Sequence, residues 1–189
     1  MRIIIFFIAF TNTVAFAQGI FVGKDHSSTM MQVSYVRNED EAGVGAVIGH
    51  SFDGAADIGI VGGKISDVLF WGGAFSVYFA NPDSSGGVVV SVDLSFTDYN
   101  PKYATTSVIS LTAGGTAGVR IPIFQNFAVA PLMTGGIIST SNSKLTFYGG
   151  GVSLIVRGGR TAYFVVTPSF SSSDKVTTYG IEAGFVISD

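Results

Sequence analysis

The residues of this sequence that could act in nucleophilic chemistry are His50 and Ser51, which stand side by side shortly before Asp53. Acyl transfer needs a serine, a histidine and an acid within hydrogen-bond reach of one another. Consecutive residues of a strand point to opposite faces, so His50 and Ser51 cannot form that pair within a strand. The sequence therefore predicts no catalytic residues.

Metal and phosphate binding are also poorly supported. The chain has no cysteine, and its two histidines, His26 and His50, are not paired at the spacing of metal ligands. The acidic run Asn38-Glu39-Asp40-Glu41 could bind a cation in a loop, but such a run is more often a solvated turn. The triplet Gly149–Gly151 lacks the following lysine and helix of a phosphate loop. We predict no metal and no cofactor.

The N-terminus and the composition are typical of an exported, apolar chain. Arg2, an apolar run and Ala15-Phe16-Ala17 follow in the order of a signal peptide cleaved near Ala17. We therefore predict a signal peptide at 1–17 and one domain at 18–189. The net charge of −3, with 12% charged residues, gives no reason to expect nucleic acid as a partner. The mean hydropathy of +0.49 is high, yet no later apolar run has the ~20 residues of a membrane-spanning helix.

Ten segments alternate apolar and polar residues with period two and are separated by turn residues. In "GVVVSVDLSF", for example, valine, leucine and phenylalanine alternate with a face that carries serines and Asp93. The predicted strands are 29–37, 41–51, 55–64, 69–80, 86–98, 105–122, 125–139, 144–157, 160–171 and 175–187. This pattern predicts an all-β fold, an antiparallel up-and-down transmembrane β-barrel of about ten strands, with eight possible.

The polar face of these strands is rich in Ser, Thr and Gly, whereas the outer face of a soluble domain is usually rich in Lys, Glu and Arg. Such a face suits a cramped interior, so we expect lipid on the apolar side. Every second side chain of a strand points to the same face. On this basis five charged side chains lie in the interior: Asp57, Asp93, Arg120, Arg157 and Glu182. If they pair, they fill the lumen; if they line water, they form a narrow polar pore.

Turn signals and aromatic residues suggest two distinct rims. Tight turn signals such as Asp53-Gly54 follow the second, fourth, sixth and eighth predicted strands, and we expect somewhat longer external loops at the other rim. Aromatic residues near strand ends predict interfacial girdles. These are Phe96, Tyr99 and Tyr103 toward one rim, and Phe124 and Phe127 toward the other.

A family resemblance rests on the signal peptide and on the stretches "IPIFQNFAVAPLMTGG", "GGGVSLIVRGGRTAYFVVTPSFS" and "TTYGIEAGFVI". With these features the chain resembles the small outer-membrane β-barrel proteins of Gram-negative bacteria, the opacity-type and porin-like barrels. The resemblance implies that outer-membrane lipid surrounds the chain. It also implies a terminal insertion signal for the barrel-assembly machinery, formed by Thr178, Gly180, Ala183 and Phe185.

The function that this resemblance implies is an integral outer-membrane barrel with a structural, adhesive or weak pore role and a narrow polar lumen. Two alternatives stay open. The chain could be a soluble exported β-barrel that carries an apolar ligand, or a lipid-modifying barrel enzyme, since some small barrels of this size are enzymes. We expect no enzymatic activity, and the sequence does not indicate a ligand.

Overall fold

The computed structural model describes residues 26–82, 85–100, 107–173 and 176–188. The predicted signal peptide at 1–17 lies outside these residues. The described regular structure consists of ten strands. They are β1 (Ser28–Arg37), β2 (Ala42–Phe52), β3 (Ala56–Ile65), β4 (Val68–Ala80), β5 (Gly87–Asn100), β6 (Val108–Phe124), β7 (Phe127–Thr140), β8 (Lys144–Arg157), β9 (Ala162–Ser173) and β10 (Val176–Ser188). Within the described ranges, no helix has the length and apolar character needed to cross a membrane.

The ten strands close into one barrel in which each strand pairs antiparallel with its neighbours in the chain and β1 pairs with β10. This confirms the predicted up-and-down barrel and settles the strand number at ten. Every predicted strand is present, with its ends within three residues of the prediction. Closure leaves no strand edge open to pair with another chain.

One row of paired residues shows how far the strands are staggered. It starts at Ser188 on β10 and, after one circuit of the barrel, returns to β10 at Val176, twelve residues earlier. With usual strand spacings, this stagger over ten strands corresponds to a tilt of about 40° from the barrel axis. That tilt lies within the usual range for barrels.

The connections at the two ends of the barrel are similar in length. We call the end with Ser28 and Ser188 the terminal end and the opposite end the distal end. Connections have two to six residues at the terminal end and two to seven at the distal end, so the predicted difference in loop length is wrong. The β3–β4 connection is a two-residue turn in which Ser66 takes a φ of 49°. A positive φ is uncommon for serine, so the sequence does not predict this turn. The predicted tight turn at Asp53-Gly54 is present, with φ values of 50° and 63° as in a type I′ hairpin.

The two faces of the barrel wall differ in chemistry as the alternation predicts. Burial alternates along the strands, and the inward side chains include a buried apolar cluster with Met30, Ile65, Phe70 and Val186. On the outer face, 35 large apolar side chains of the described residues are exposed. A soluble monomer rarely exposes more than a few hundred Å² of contiguous apolar surface. The hydrophobic core therefore lies inside the barrel, and a second apolar surface covers its exterior.

Different aromatic residues face outward at the two ends. The terminal end carries Phe52, Phe79, Phe124 and Phe164, whereas the distal end carries Tyr35, Trp71, Phe96, Tyr148 and Tyr179. The girdle prediction was wrong for Tyr99, which faces inward and is 2% exposed because it shares a face with Asp93. Tyr103 lies outside the described residues.

Candidate functional site

The polar interior is the first candidate site, because four of the five charged residues assigned to it are buried. Asp57, Asp93, Arg120 and Glu182 are between 2% and 7% exposed and come from β3, β5, β6 and β10. Three carboxyl groups and one guanidinium thus share the described interior. Charges in such a place must be hydrogen-bonded or paired.

Asp93 accepts hydrogen bonds on both carboxyl oxygens. Ser91 Oγ donates to Oδ1 at 2.8 Å, and Thr116 Oγ1 donates to Oδ2 at 2.8 Å. Ser91 lies two residues earlier on the same face of β5, and Thr116 is the partner of Ser91 in the β5–β6 register. The strand pairing therefore positions both donors.

Glu182 links the three strands where the barrel closes. Gln32 Nε2 on β1 donates to Glu182 Oε2 at 2.5 Å, and Ser169 Oγ on β9 donates to Oε1 at 3.4 Å. Since β10 lies between β1 and β9, this one carboxyl group connects the first strand to the last two. We call Gln32, Glu182 and Ser169 the closure contacts.

Asp57 lies on a polar row that crosses the inner wall: Ser28, Ser51, Asp57, Ser76 and Asp93, each opposite the next. Tyr78 OH donates to Asp57 Oδ2 at 2.6 Å. The hydroxyl oxygens of Ser28 and Ser51 are fully buried and have no hydrogen-bond partner in the described structure. Buried polar groups of this kind are commonly satisfied by ordered water.

Arg157 differs from the prediction, because it is exposed instead of lying in the interior. Counting by two assigns it to the inner face, but it is the last residue of β8. Its Nε and one terminal nitrogen donate to the carbonyls of Gly159 and Arg160 at 2.9 Å each, and its guanidinium lies 5.8 Å from the centre of the Tyr163 ring. At a strand end the side chain bends back over the hairpin, which period-two counting does not capture.

His50 and Ser51 lie on opposite faces of β2, as the sequence predicts. Ser51 is 0% exposed inside the barrel. His50 lies on the outer face, where its Nδ1 is 3.2 Å from Thr29 Oγ1 and its ring packs edge-on to Phe52. The two side chains are therefore separated by the barrel wall and cannot act as a base and a nucleophile together.

The acidic run forms a compact turn. Asn38 Oδ1 accepts the backbone N–H groups of Asp40 and Glu41 at 2.8 and 2.7 Å. Burial, and then the charge of Asp40, raise the pKa of Glu41. Across the described residues, no group of three or more His, Cys, Asp or Glu side chains is arranged to bind a metal ion.

The residues of the terminal insertion signal occupy both faces of β10. Thr178 is buried inside, whereas Phe185 is 47% exposed on the outer face, where Ala183 also lies. Gly180 belongs to the inner face. The role of these residues in assembly stays a prediction.

A groove on the outer face was not predicted from the sequence. It has a volume of about 860 Å³ and runs over β10, β1, β2 and β3 to the start of β4. Its outward-facing lining consists of Ala183, Val33, Ala46, Gly62, Ile181, Tyr35, Val44, Lys64 and Leu69. The sequence shows the small residues, but only the register between strands shows that they lie side by side.

These features define the class of fold: a transmembrane β-barrel of the outer-membrane type, closed, antiparallel and apolar outside. The β domain of the Bordetella autotransporter BrkA has a similar fold, with a TM-score of 0.52 and 11% sequence identity over 89% of this chain and 100% of that chain. Ail, the attachment invasion locus protein of Yersinia pestis, matches with a TM-score of 0.40 and 12% identity over 89% and 99% of the two chains. Omp33 of Acinetobacter baumannii matches with a TM-score of 0.40 and 12% sequence identity over 87% of this chain and 99% of that chain. No protein-family model and no curated protein sequence matches the chain. At these identities the likeness concerns the fold alone.

Proposed function

We propose that this chain is an integral outer-membrane β-barrel with a structural role and a filled, non-conducting interior. The observation that carries this proposal is the burial of the inward side chains. Asp93 and Glu182 are each 3% exposed and each bind side chains from neighbouring positions of the wall. A water-filled channel would leave such groups exposed to solvent. Ten strands also lie nearer the small filled barrels than the 16-stranded porins.

The exterior argues against a soluble carrier of an apolar ligand. Val92 and Leu94 at the middle of β5 are 46% and 50% exposed, while Ser91 and Asp93 beside them are buried. A soluble barrel would have the reverse arrangement. Outer-membrane lipid is the partner that covers such a surface.

An adhesive role receives less support because the connections offer little surface. The longest connection at the distal end has seven residues, and the β3–β4 connection at that end has two. The barrel wall that separates His50 from Ser51 likewise gives no support to acyl-transfer chemistry at these two residues.

Planar-bilayer recording of the refolded chain tests the filled interior. We expect the protein to insert, as shown by a shift in gel mobility between unheated and boiled samples, and to produce no conductance steps. Regular steps from a sample that shows the heat-dependent shift would contradict a filled interior.

A weak pore is the second candidate, and the unpartnered hydroxyls of Ser28 and Ser51 favour it. Water that satisfies them would lie on the polar row. Three interior carboxyl groups against one arginine would make such a path prefer cations. The reversal potential under a KCl gradient distinguishes this candidate, since it should approach the potassium equilibrium potential.

A further inference from the structure

We propose that the outer groove over β10, β1, β2 and β3 binds one phosphorylated anionic lipid. Its acyl chain would lie against the small residues of the groove, and its phosphate would lie on Lys64 and Arg37. This inference rests on the proposed location in the outer membrane and names one specific lipid contact there.

The floor of the groove follows from the strand register. Ala183 is opposite Val33, Val33 is opposite Ala46, and Ala46 is opposite Gly62. The next outward row toward the distal end is instead large: Ile181, Tyr35, Val44, Lys64 and Leu69, each opposite the next. The outer surface therefore steps down from a tall row near the rim to a shallow row below it. It rises again at the next outward row, which consists of Phe185, Met31, Ile48 and Ile60.

The space above Gly62 is not filled by protein. A Cβ atom placed on Gly62 would meet only the carbonyl oxygen of Phe70, at 3.7 Å, which is ordinary van der Waals contact. Atoms that line an empty apolar space lose dispersion contacts. A hydrocarbon chain that lies in this outward-opening groove restores those contacts.

Positive charge lies along the distal side of this groove. Lys64 is two residues beyond Gly62 on the same outward face, and its side chain is 51% exposed. Arg37, which is exposed, occupies the outward position beyond Tyr35 at the same rim. Long basic side chains place their stems along apolar surface and their charged groups in the polar boundary. Lipid phosphates lie at that boundary.

Acidic groups lie nearby but outside the groove. Lys64 Nζ is 3.5 Å from Asp67 Oδ1 in the β3–β4 turn, and an ammonium with three donors can bind a phosphate in addition. The acids at 39–41 belong to the β1–β2 connection beyond the strand ends. Along the described parts of β10, β1, β2 and β3, no acidic side chain faces outward.

The combination of an apolar floor and a basic rim specifies an amphiphilic ligand. Inorganic phosphate could use the basic rim but would leave the apolar floor uncovered. A zwitterionic lipid would cover the floor but would gain less at Lys64, since its head group has no net charge. An anionic lipid uses both parts, with its phosphate at the rim and its chain lying along the shallow row that crosses the strands.

Native mass spectrometry of the delipidated, refolded protein in non-ionic detergent tests the site, with phosphatidylglycerol as the probe. We expect one lipid bound per barrel at low concentration. Lys64→Gln should weaken binding about fivefold, the effect of one basic residue near an anionic lipid surface. Ala46→Leu and Gly62→Leu, which fill the groove, should abolish the tight site. Lys144→Gln and Ala117→Leu are matched controls, because they change a distal-end lysine and a small outward residue outside the groove, and they should bind as the unmodified chain does.

Two further probes separate the contributions of head group and chain. Phosphatidylcholine should bind clearly more weakly, and inorganic phosphate at the same concentration should neither bind nor displace the lipid. Equal binding of both lipids, displacement by inorganic phosphate, or unchanged binding after Lys64→Gln and Ala46→Leu would each overturn the site. The heat-dependent gel shift of the same samples reports the barrel separately, so a failed lipid site and a failed membrane barrel are distinguishable.

Discussion

Val92 and Asp93 are consecutive residues of β5, yet they lie on opposite sides of the barrel wall in opposite environments. Val92 is 46% exposed on the outer face, whereas Asp93 is 3% exposed and bound by Ser91 and Thr116 inside. An apolar side chain is exposed and a carboxyl group is buried because hydrocarbon is the solvent of the outer face.

An arginine at Val92 should destabilise the barrel strongly. Val92 lies in the middle of β5, and a charged side chain on the lipid face near the bilayer midplane costs about 2–4 kcal/mol. Asn100→Arg is the matched control, since Asn100 is an exposed residue at the distal end of the same strand, where the cost falls to about 0–1 kcal/mol. Urea unfolding in lipid vesicles, followed by the fluorescence of the single tryptophan, Trp71, measures both. Equal effects of the two substitutions would show that the lipid-facing assignment is wrong.

Two adjacent glycines of β3 should respond differently to alanine. A Cβ on Gly63 points inward and would overlap the Val44 carbonyl and the Phe70 ring, so Gly63→Ala should cost about 1–3 kcal/mol. A Cβ on Gly62 has room, so Gly62→Ala should change the free energy of unfolding by less than about 1 kcal/mol. The same unfolding measurement compares them. A larger loss from Gly62→Ala would contradict the register of β3.

The closure contacts should be energetically coupled. Gln32→Ala and Glu182→Ala each remove one side of the hydrogen bond between β1 and β10 and leave a buried polar group behind, at about 1–3 kcal/mol each. A double-mutant cycle should give a coupling of about 0.5–3 kcal/mol. Additive losses would mean that these side chains act independently and that the closure does not depend on their contact.

Substitutions at the end of β10 should slow assembly by the barrel-assembly machinery more than they slow folding in detergent. Phe185 faces outward and belongs to the predicted insertion signal. Phe185→Ala should slow membrane insertion by reconstituted barrel-assembly machinery while leaving unassisted refolding in detergent unchanged. Phe164→Ala, at an exposed phenylalanine paired with Phe185 on β9, is the control. Equal slowing by both substitutions would remove the special role of the terminal strand.

Most of the fold could be predicted from the sequence because alternation holds along most of each strand, although the register shifts between Tyr78 and Ala80 and between Pro122 and Phe124 interrupt it. The prediction for β8 matches the structure at both ends, Lys144 and Arg157. Alternation also fails where the chain leaves the sheet, which explains the exposed side chain of Arg157. The two-residue turn at Ser66 could not be predicted from the sequence either, because its positive φ belongs to a residue type that usually avoids that conformation.

The candidate lipid site could not be predicted because it depends on register. Ala46 and Gly62 are 16 positions apart in the chain and become neighbours only through the pairing of β2 with β3. The contact of Gln32 with Glu182 likewise depends on the closure of the barrel, which joins positions 150 residues apart. Alternation shows which face a residue occupies, but it does not show which residues share that face across strands.

Lipid contacts the outer wall of this barrel, and buried polar and apolar side chains fill its interior. Because the chain has no cysteine, single cysteines can be placed from position 88 to 96, spin-labelled and reconstituted in vesicles. Collisions with oxygen, which concentrates in hydrocarbon, should be frequent at Val88, Val90, Val92 and Leu94 and rare at Val89, Ser91, Asp93 and Ser95. Collision rates without this alternation, or with the opposite phase, would contradict the account.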